Sequence, residues 1–280
     1  MNHQPIDQVI SLALKKKKLL NDSPLRYLIR AALSGFYVGI GLVISFRLGE
    51  GFFDIQSPVT ALMSSIFFGI ALVLIIYGGS ELFTGNTMYF TMSTLKKETT
   101  VKDTLQNWAA CYGGNFIGAV TFSIIVMTSG LFSNPENSQL LMSLAAHKME
   151  PDTVELFFRG VLCNLVVCLA VWIPMHIKGD GAKIFVMMFL VFGFVAAGFE
   201  HSVANMVTFS LALLVPHPES VSLAGALHNL IPVTLGNIVG GGFFLGGVYF
   251  YLTSSNRKQP LELKMNERKT VSTSVFQKEA

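Results

Sequence analysis

The chain has 280 residues, 51% of them hydrophobic and 13% charged, with a formal net charge of +3. That charge content is about half of the ~25% usual in soluble domains, and several apolar stretches reach the length of about 18 residues that spans a bilayer. A soluble globule is therefore excluded. So is a nucleic-acid binder, because the basic residues sit in loops and at the ends, and so is a membrane β-barrel, because period-two alternation is missing.

Residues 1–24 are polar and lysine-rich with only a short apolar patch, which does not make a cleavable signal. Residues 6–20 read as a short amphipathic helix on the cytoplasmic surface, with Lys15 to Lys18 toward anionic headgroups; a disordered basic tail is the competing reading. The first span is expected at about residues 27–46, followed by a polar loop carrying Arg47, Glu50 and Asp54. The next apolar block, residues 58–95, would be roughly 57 Å long as one helix, too long for a ~30 Å bilayer core. It is interrupted by Tyr77-Gly-Gly-Ser-Glu-Leu-Phe-Thr-Gly-Asn86, whose glycines and small polar residues suit a helix break. A third span follows at about 107–131, then a long loop at 132–152 with His147 and Lys148, then a fourth span at about 154–177. The apolar run 184–215 holds Glu200, His201 and Asn205 in its middle. As one helix it would be roughly 48 Å long, so a second break is expected there, with its polar groups facing a cavity or a partner. The sixth span is placed at about 224–252, and residues 256–280 read as a mobile cytoplasmic tail. Cys111, Cys163 and Cys168 lie in apolar segments without metal-ligand spacing and read as buried, reduced packing residues.

Lysines 96, 97, 102, 178 and 183 fall in alternate loops, which orients six spans with both termini cytoplasmic. The spans repeat. Glu81 and Asn86 are spaced like Glu200 and Asn205, Asn107, Asn115 and Gly118 like Asn229, Asn237 and Gly240, and Arg30 and Leu33 like Arg159 and Leu162. Each half, about 27–131 and about 154–252, holds three spans. An odd number makes the second half enter the membrane upside down relative to the first. The fold class is thus an all-α polytopic membrane protein, one channel domain over residues 1–255, built as a 3+3 inverted repeat with two broken helices that meet near the midplane.

His201 is the strongest candidate for chemistry. A neutral imidazole donates one hydrogen bond to an anion, and a protonated one adds a charge. The competing reading is a histidine bonded only to a neighbouring helix. Thr84 offers a hydroxyl to His201, to a passing anion or to loop backbone. Glu81 and Glu200 read as structural acceptors for backbone N–H groups freed at the breaks, and Asn86 and Asn205 as braces of the same loops. Phe68, Leu72, Leu82 and Phe194 flank the breaks, either as apolar constrictions or as ordinary packing. Lys148 is a solvated loop charge or a collector of anions. Asn164, in span four, bonds a solute or a helix neighbour. The glycines of the last span allow close helix contact. There is no phosphate loop and no H-E-x-x-H, so no nucleotide, metal or other cofactor is expected.

Residues 81–86, Glu-Leu-Phe-Thr-Gly-Asn, and 199–206, Phe-Glu-His-Ser-Val-Ala-Asn-Met, resemble the two signature segments of the formate/nitrite transporter family. Within it, the details look closest to the hydrosulfide channel branch, and the resemblance covers about residues 5–255. It implies a homopentamer in the cytoplasmic membrane, with an aquaporin-like protomer that holds its own pore. The expected solutes are small monovalent anions such as formate, nitrite, hydrosulfide and chloride. It also implies that His201 is the central histidine, Thr84 its partner, Lys148 the loop lysine with Asn164 near it, and Phe68, Leu72, Leu82 and Phe194 the constrictions. The expected activity is passive passage of anions of weak acids, hydrosulfide first. Proton-coupled formate or nitrite transport is one alternative. A neutral-solute channel is another, and it lacks the paired Asn-Pro-Ala segments of aquaporins. A membrane enzyme built on Glu200 and His201 would lack a nucleophile or metal set.

Overall fold

A computed structural model describes residues 4–254, so the tail expected at 256–280 lies outside the described residues. Among those residues all the regular structure is helical, with no strand. Five segments are long and apolar enough to cross a membrane: Pro24–Asp54, Thr60–Tyr77, Val101–Thr128, Thr153–His176 and Leu223–Thr253. The run expected as the fifth span is split into two helices, Asp180–Ala196 and Ser202–Leu214, of 17 and 13 residues.

In chain order, α1 (Gln4–Asp22) comes first. Its apolar face docks on protein, where the sequence predicts a helix lying on the membrane surface. Ile6, Val9, Ile10 and Ala13, spaced along one helical face, are buried in the protein core. Lys16 pairs with Glu81, Lys17 Nζ lies 2.8 Å from Asp103, and Lys18 pairs with Asp22. Helix α2 (Pro24–Asp54) starts at a proline and runs through the stretch expected as a polar loop. The reason is Glu50. It is buried, and its Oε1 accepts from Leu140 N at 3.0 Å, in the first turn of α7 (Gln139–Met149). A carboxylate at the exposed N–H groups of a helix start is favourably placed, so the pairing holds both elements. For the same reason residues 132–152 are not a plain loop: α7 lies within them and carries Lys148 in its last turn.

The second block divides into α3 (Thr60–Ser65), α4 (Ile70–Tyr77) and α5 (Phe83–Leu95). Helix α6 (Val101–Thr128) begins six residues before the expected span, at a capping box in which Thr100 and Asp103 satisfy each other's backbone N–H groups. Then come α8 (Thr153–Trp172), α9 (Asp180–Ala196), α10 (Ser202–Leu214) and α11 (Leu223–Ile238). The chain continues without interruption into a π-helical segment, Val239–Gly247, and α12 (Val248–Ser254).

Two helix pairs form the frame, α2 with α6 and α8 with α11. Glycines set their distance. A Cβ on Gly118 would collide with the Ala32 carbonyl, and one on Gly236 with the Phe157 carbonyl. Apolar lipid tails give no hydrophobic drive for helix association, so such close backbone contact is what holds these helices together.

Candidate functional site

The two chain breaks are built alike. Helix α4 ends with Gly79 at φ +70 and α9 ends with Gly198 at φ +73, each two residues before a glutamate. Ser80 N reaches Ile75 O at 3.1 Å, and Phe199 N reaches Phe194 O at 3.1 Å. Both are six-to-one bonds around a left-handed glycine, which satisfy carbonyls that a helix end leaves open. The chain then passes through Glu81 and an extended Leu82 in one break, and through Glu200 and an extended His201 in the other, before α5 and α10 begin.

One asparagine holds each break. Asn115 Oδ1 accepts from Phe83 N at 2.9 Å, and its Nδ2 donates to Glu81 O and to Ala31 O, both at 2.8 Å. Asn237 Oδ1 accepts from Ser202 N at 2.9 Å, and its Nδ2 donates to Glu200 O at 3.0 Å and Gly160 O at 2.8 Å. Glu81 N and Glu200 N donate to Arg30 O and Arg159 O, at 3.2 and 3.3 Å. These freed backbone groups are thus satisfied by amides and carbonyls, where the glutamate side chains were the expected acceptors. A carboxylate only accepts, whereas an amide both accepts and donates, so it can hold the N–H and the C=O of one loop together.

The carboxylates take lysines and the other asparagines. Glu81 Oε2 accepts from Lys16 Nζ and from Asn86 Nδ2 at 3.3 Å. Glu200 Oε1 accepts from Lys148 Nζ at 2.9 Å, and Oε2 from Asn205 and Asn229 at 2.5 and 3.3 Å. Asn86 and Asn205 therefore bind the break glutamates directly. Lys16 was missed as a site residue. It stands in a run of four lysines, and nothing in such a run tells which one turns inward; the apolar spacing of Ile6, Val9, Ile10 and Ala13 was the readable sign that α1 docks on protein.

The breaks bring Thr84 and His201 together. Thr84 Oγ1 lies 3.0 Å from His201 Nε2, with both residues buried. His201 also caps α10: its Nδ1 accepts from Ala204 N at 3.1 Å. With Nδ1 used as an acceptor, the neutral ring carries its proton on Nε2 and donates it to Thr84 Oγ1. The Thr84 hydroxyl hydrogen is then left for another acceptor. Phe194 stacks on the imidazole at 6.0 Å between centroids, and Phe68 meets Phe194 edge-on at 6.2 Å. Phe68, Leu72, Leu82 and Phe194 are all buried.

One cavity borders each break, and His201 lines the second of them. One, of about 560 Å³, is lined by Lys15, Lys16, Arg30, Glu81, Tyr89 and Lys183 among others. The second, of about 820 Å³, includes Phe68, Lys148, Arg159, Phe194, Glu200 and His201 in its wall. Thr84, Leu72 and Leu82 line neither. Asn164 lines neither as well. It is fully buried, and its Nδ2 faces Asn237 O, Thr87 Oγ1 and Thr84 O at 2.5, 3.0 and 3.2 Å. The three cysteines are free and buried, and no cluster of metal-ligating side chains occurs among the described residues. Taken together, the pair keeps one hydroxyl hydrogen, that of Thr84, for an acceptor, and the cavity walls carry Lys15, Lys16, Arg30 and Lys183 with Glu81 and Asp180 in one, and Lys148 and Arg159 with Asp54 and Glu200 in the other.

Comparison with known proteins agrees with this architecture. Residues 3–251 match the formate/nitrite transporter family. An uncharacterised transporter of Bacillus subtilis, YwcJ, is 47% identical over 252 residues, which covers 90% of this chain and 98% of that protein. The nitrite transporter NirC of Salmonella typhimurium is 36% identical over 265 residues, covering 94% of this chain and 96% of that one. Among solved structures, an FNT family ion channel superposes with a TM-score of 0.85 at 34% identity, covering 90% of this chain and 99% of the other. A pentameric formate channel with formate bound gives a TM-score of 0.70 at 29% identity, covering 81% and 96%. The chain is a multi-pass membrane protein that belongs to the formate/nitrite transporter family, a family of transporters and channels rather than enzymes.

Proposed function

We propose that this protein is a passive pore for small monovalent anions of weak acids, and that the anion passes between the two cavities beside Thr84 and His201. The protomer is a 3+3 inverted repeat of six spans, five protomers assemble, and both termini are cytoplasmic. The observation that carries the reading is the Thr84–His201 contact of 3.0 Å beside the buried Phe194 ring, with one cavity bordering each of the two breaks. The pair presents the Thr84 hydroxyl hydrogen, since the imidazole N–H is used on Thr84 Oγ1, and the carboxylates of Glu81 and Glu200 in the cavity walls are held by Lys16 and Lys148. Such a site favours an anion over a cation.

Weak acids have an advantage there. Stripping water from an ionised carboxylate-sized group costs several kcal/mol. Protonating it first costs about 1.4 kcal/mol for each pH unit above its pKa. For an acid within about three units of the ambient pH that is roughly 4 kcal/mol, comparable to the desolvation cost. Hydrosulfide, formate and nitrite are all within the class. The names of the matched relatives favour formate and nitrite over hydrosulfide as the first solutes to try. The mirrored lysines, Lys16 on Glu81 and Lys148 on Glu200, support a site entered in the same way from both sides.

The test is competitive flux through purified protein in sealed liposomes, with hydrosulfide, formate, nitrite and glycerol as solutes, across pH and membrane potential. The expected result is passage of the three anions, faster as pH falls, with glycerol excluded. Passage of glycerol at a rate indifferent to potential would instead establish the neutral-solute channel.

A further inference from the structure

The two halves differ at one place beside the Thr84–His201 pair. Gly35 follows Arg30 by five residues, and Asn164 follows Arg159 by five. Gly35 lies against the backbone of Asn115 and Gly118 in α6, where a Cβ would collide. At the matching crossing of the second half a side chain stands instead: Asn164 donates through Nδ2 to Asn237 O at 2.5 Å.

The helix under that crossing also differs. Helix α6 is α-helical to Thr128, whereas the chain after Ile238 changes to a π register over Val239–Gly247. Such segments are rare and gather at functional sites. The change of register begins just after Asn237, and where a helical ladder is interrupted a side chain can enter it. Gly241, within the π segment, leaves room for this: its Cβ would meet Thr87 Oγ1, Asn164 Nδ2 and Cys168 Sγ.

From there the contacts lead to Thr84. Asn164 Nδ2 is 3.2 Å from Thr84 O and 3.0 Å from Thr87 Oγ1, and Thr87 Oγ1 itself donates to Thr84 O at 2.6 Å. Asn237, whose carbonyl anchors Asn164, also holds the His201 break through its side chain. One residue thus ties both members of the pair to the same helix. An Nδ2 with three acceptors in reach, on a side chain that lines neither cavity, has no hydrogen to spare for a solute.

We infer that Asn164 is a positioning residue, which holds the Thr84 backbone from the start of the π segment and so sets the Thr84–His201 contact. The inference rests on reading that pair as the anion site, and its test separates the two. Intact protein, labelled with ¹⁵N histidine and reconstituted in lipid, is compared as wild type, Asn164→Leu, Thr84→Ala and the double variant. Gly241→Ala, which keeps Asn164 and pushes a methyl against it, is the second route if Asn164→Leu does not assemble. The His201 Nε2 resonance, assigned by its loss in His201→Asn, is expected to move in Asn164→Leu and Gly241→Ala as it does in Thr84→Ala. Formate exchange is expected to fall about tenfold or more, since small misplacements of reacting groups are expensive. The double variant should be no slower than Thr84→Ala alone. An unmoved resonance, or single effects that multiply in the double variant, would overturn the inference. A moved resonance with wild-type flux in every variant, Thr84→Ala included, would uphold the positioning role and sink the anion-site reading instead.

Discussion

Glu200 is 2% exposed, and its carboxylate is held by Lys148, Asn205 and Asn229. The pair with Lys148 is a structural clamp. Removing one partner of a buried ion pair leaves a buried charge alone, which typically costs 3–5 kcal/mol. Lys148 keeps a quarter of its side chain exposed, so the lower end applies. Lys148→Met is therefore expected to destabilise by about 3 kcal/mol, read from thermal unfolding of the purified protein. Adding Glu200→Gln should restore most of the loss, because the amide needs no counter-ion. Lys16→Met should act in the same way through Glu81. At this scale much of the site was legible in the sequence. Glu, His and Asn inside an apolar run are too expensive to be accidental, so both breaks could be reasoned out, while His201 was one of three partners open to Thr84. The direction of each hydrogen bond could not, because spacing reveals that Asn115 and Asn237 correspond without telling that their amides, rather than the carboxylates, satisfy the breaks. Asn164 was read as bonding either a solute or a helix, and its Nδ2 lies against Asn237, Thr87 and Thr84.

Elements are held apart or together by their smallest residues. On α6, a Cβ at Gly118 would run into the backbone of Ala32, while one at Gly113 meets nothing within 4 Å. Gly118→Ala is expected to destabilise by about 1–3 kcal/mol through overpacking, with less assembled protein recovered. Gly113→Ala should be neutral or stabilise by up to about 1 kcal/mol, since alanine favours the helix. Thermal unfolding and size-exclusion yield of the two variants check the contrast. Span positions followed from apolar length, but their ends did not. Helix α2 overruns its expected end because Glu50 finds the start of α7, a contact between residues 90 positions apart. The π segment was hidden for a similar reason. Its glycines signalled close approach, and only the position of Asn164 against Asn237 shows what the approach is for.

The whole molecule is two similar halves around one polar contact, and its symmetry is broken where it matters. The extended residue before each second half-helix is Leu82 in one break and His201 in the other. On the proposed reading, a leucine and a histidine at equivalent places give one donor site rather than two competing sites on one route. Helices α1 and α7, which precede the two halves, each pair a lysine with the glutamate of the half that follows. Anion selectivity and tolerance of either direction of flow are the expected consequences. The most direct measurement is exchange of labelled formate across sealed liposomes by wild-type protein, His201→Asn and Thr84→Ala over a range of pH. Both substitutions are predicted to slow exchange about tenfold or more and to alter its pH dependence. Wild-type rate, anion preference and pH dependence in both variants would contradict the account.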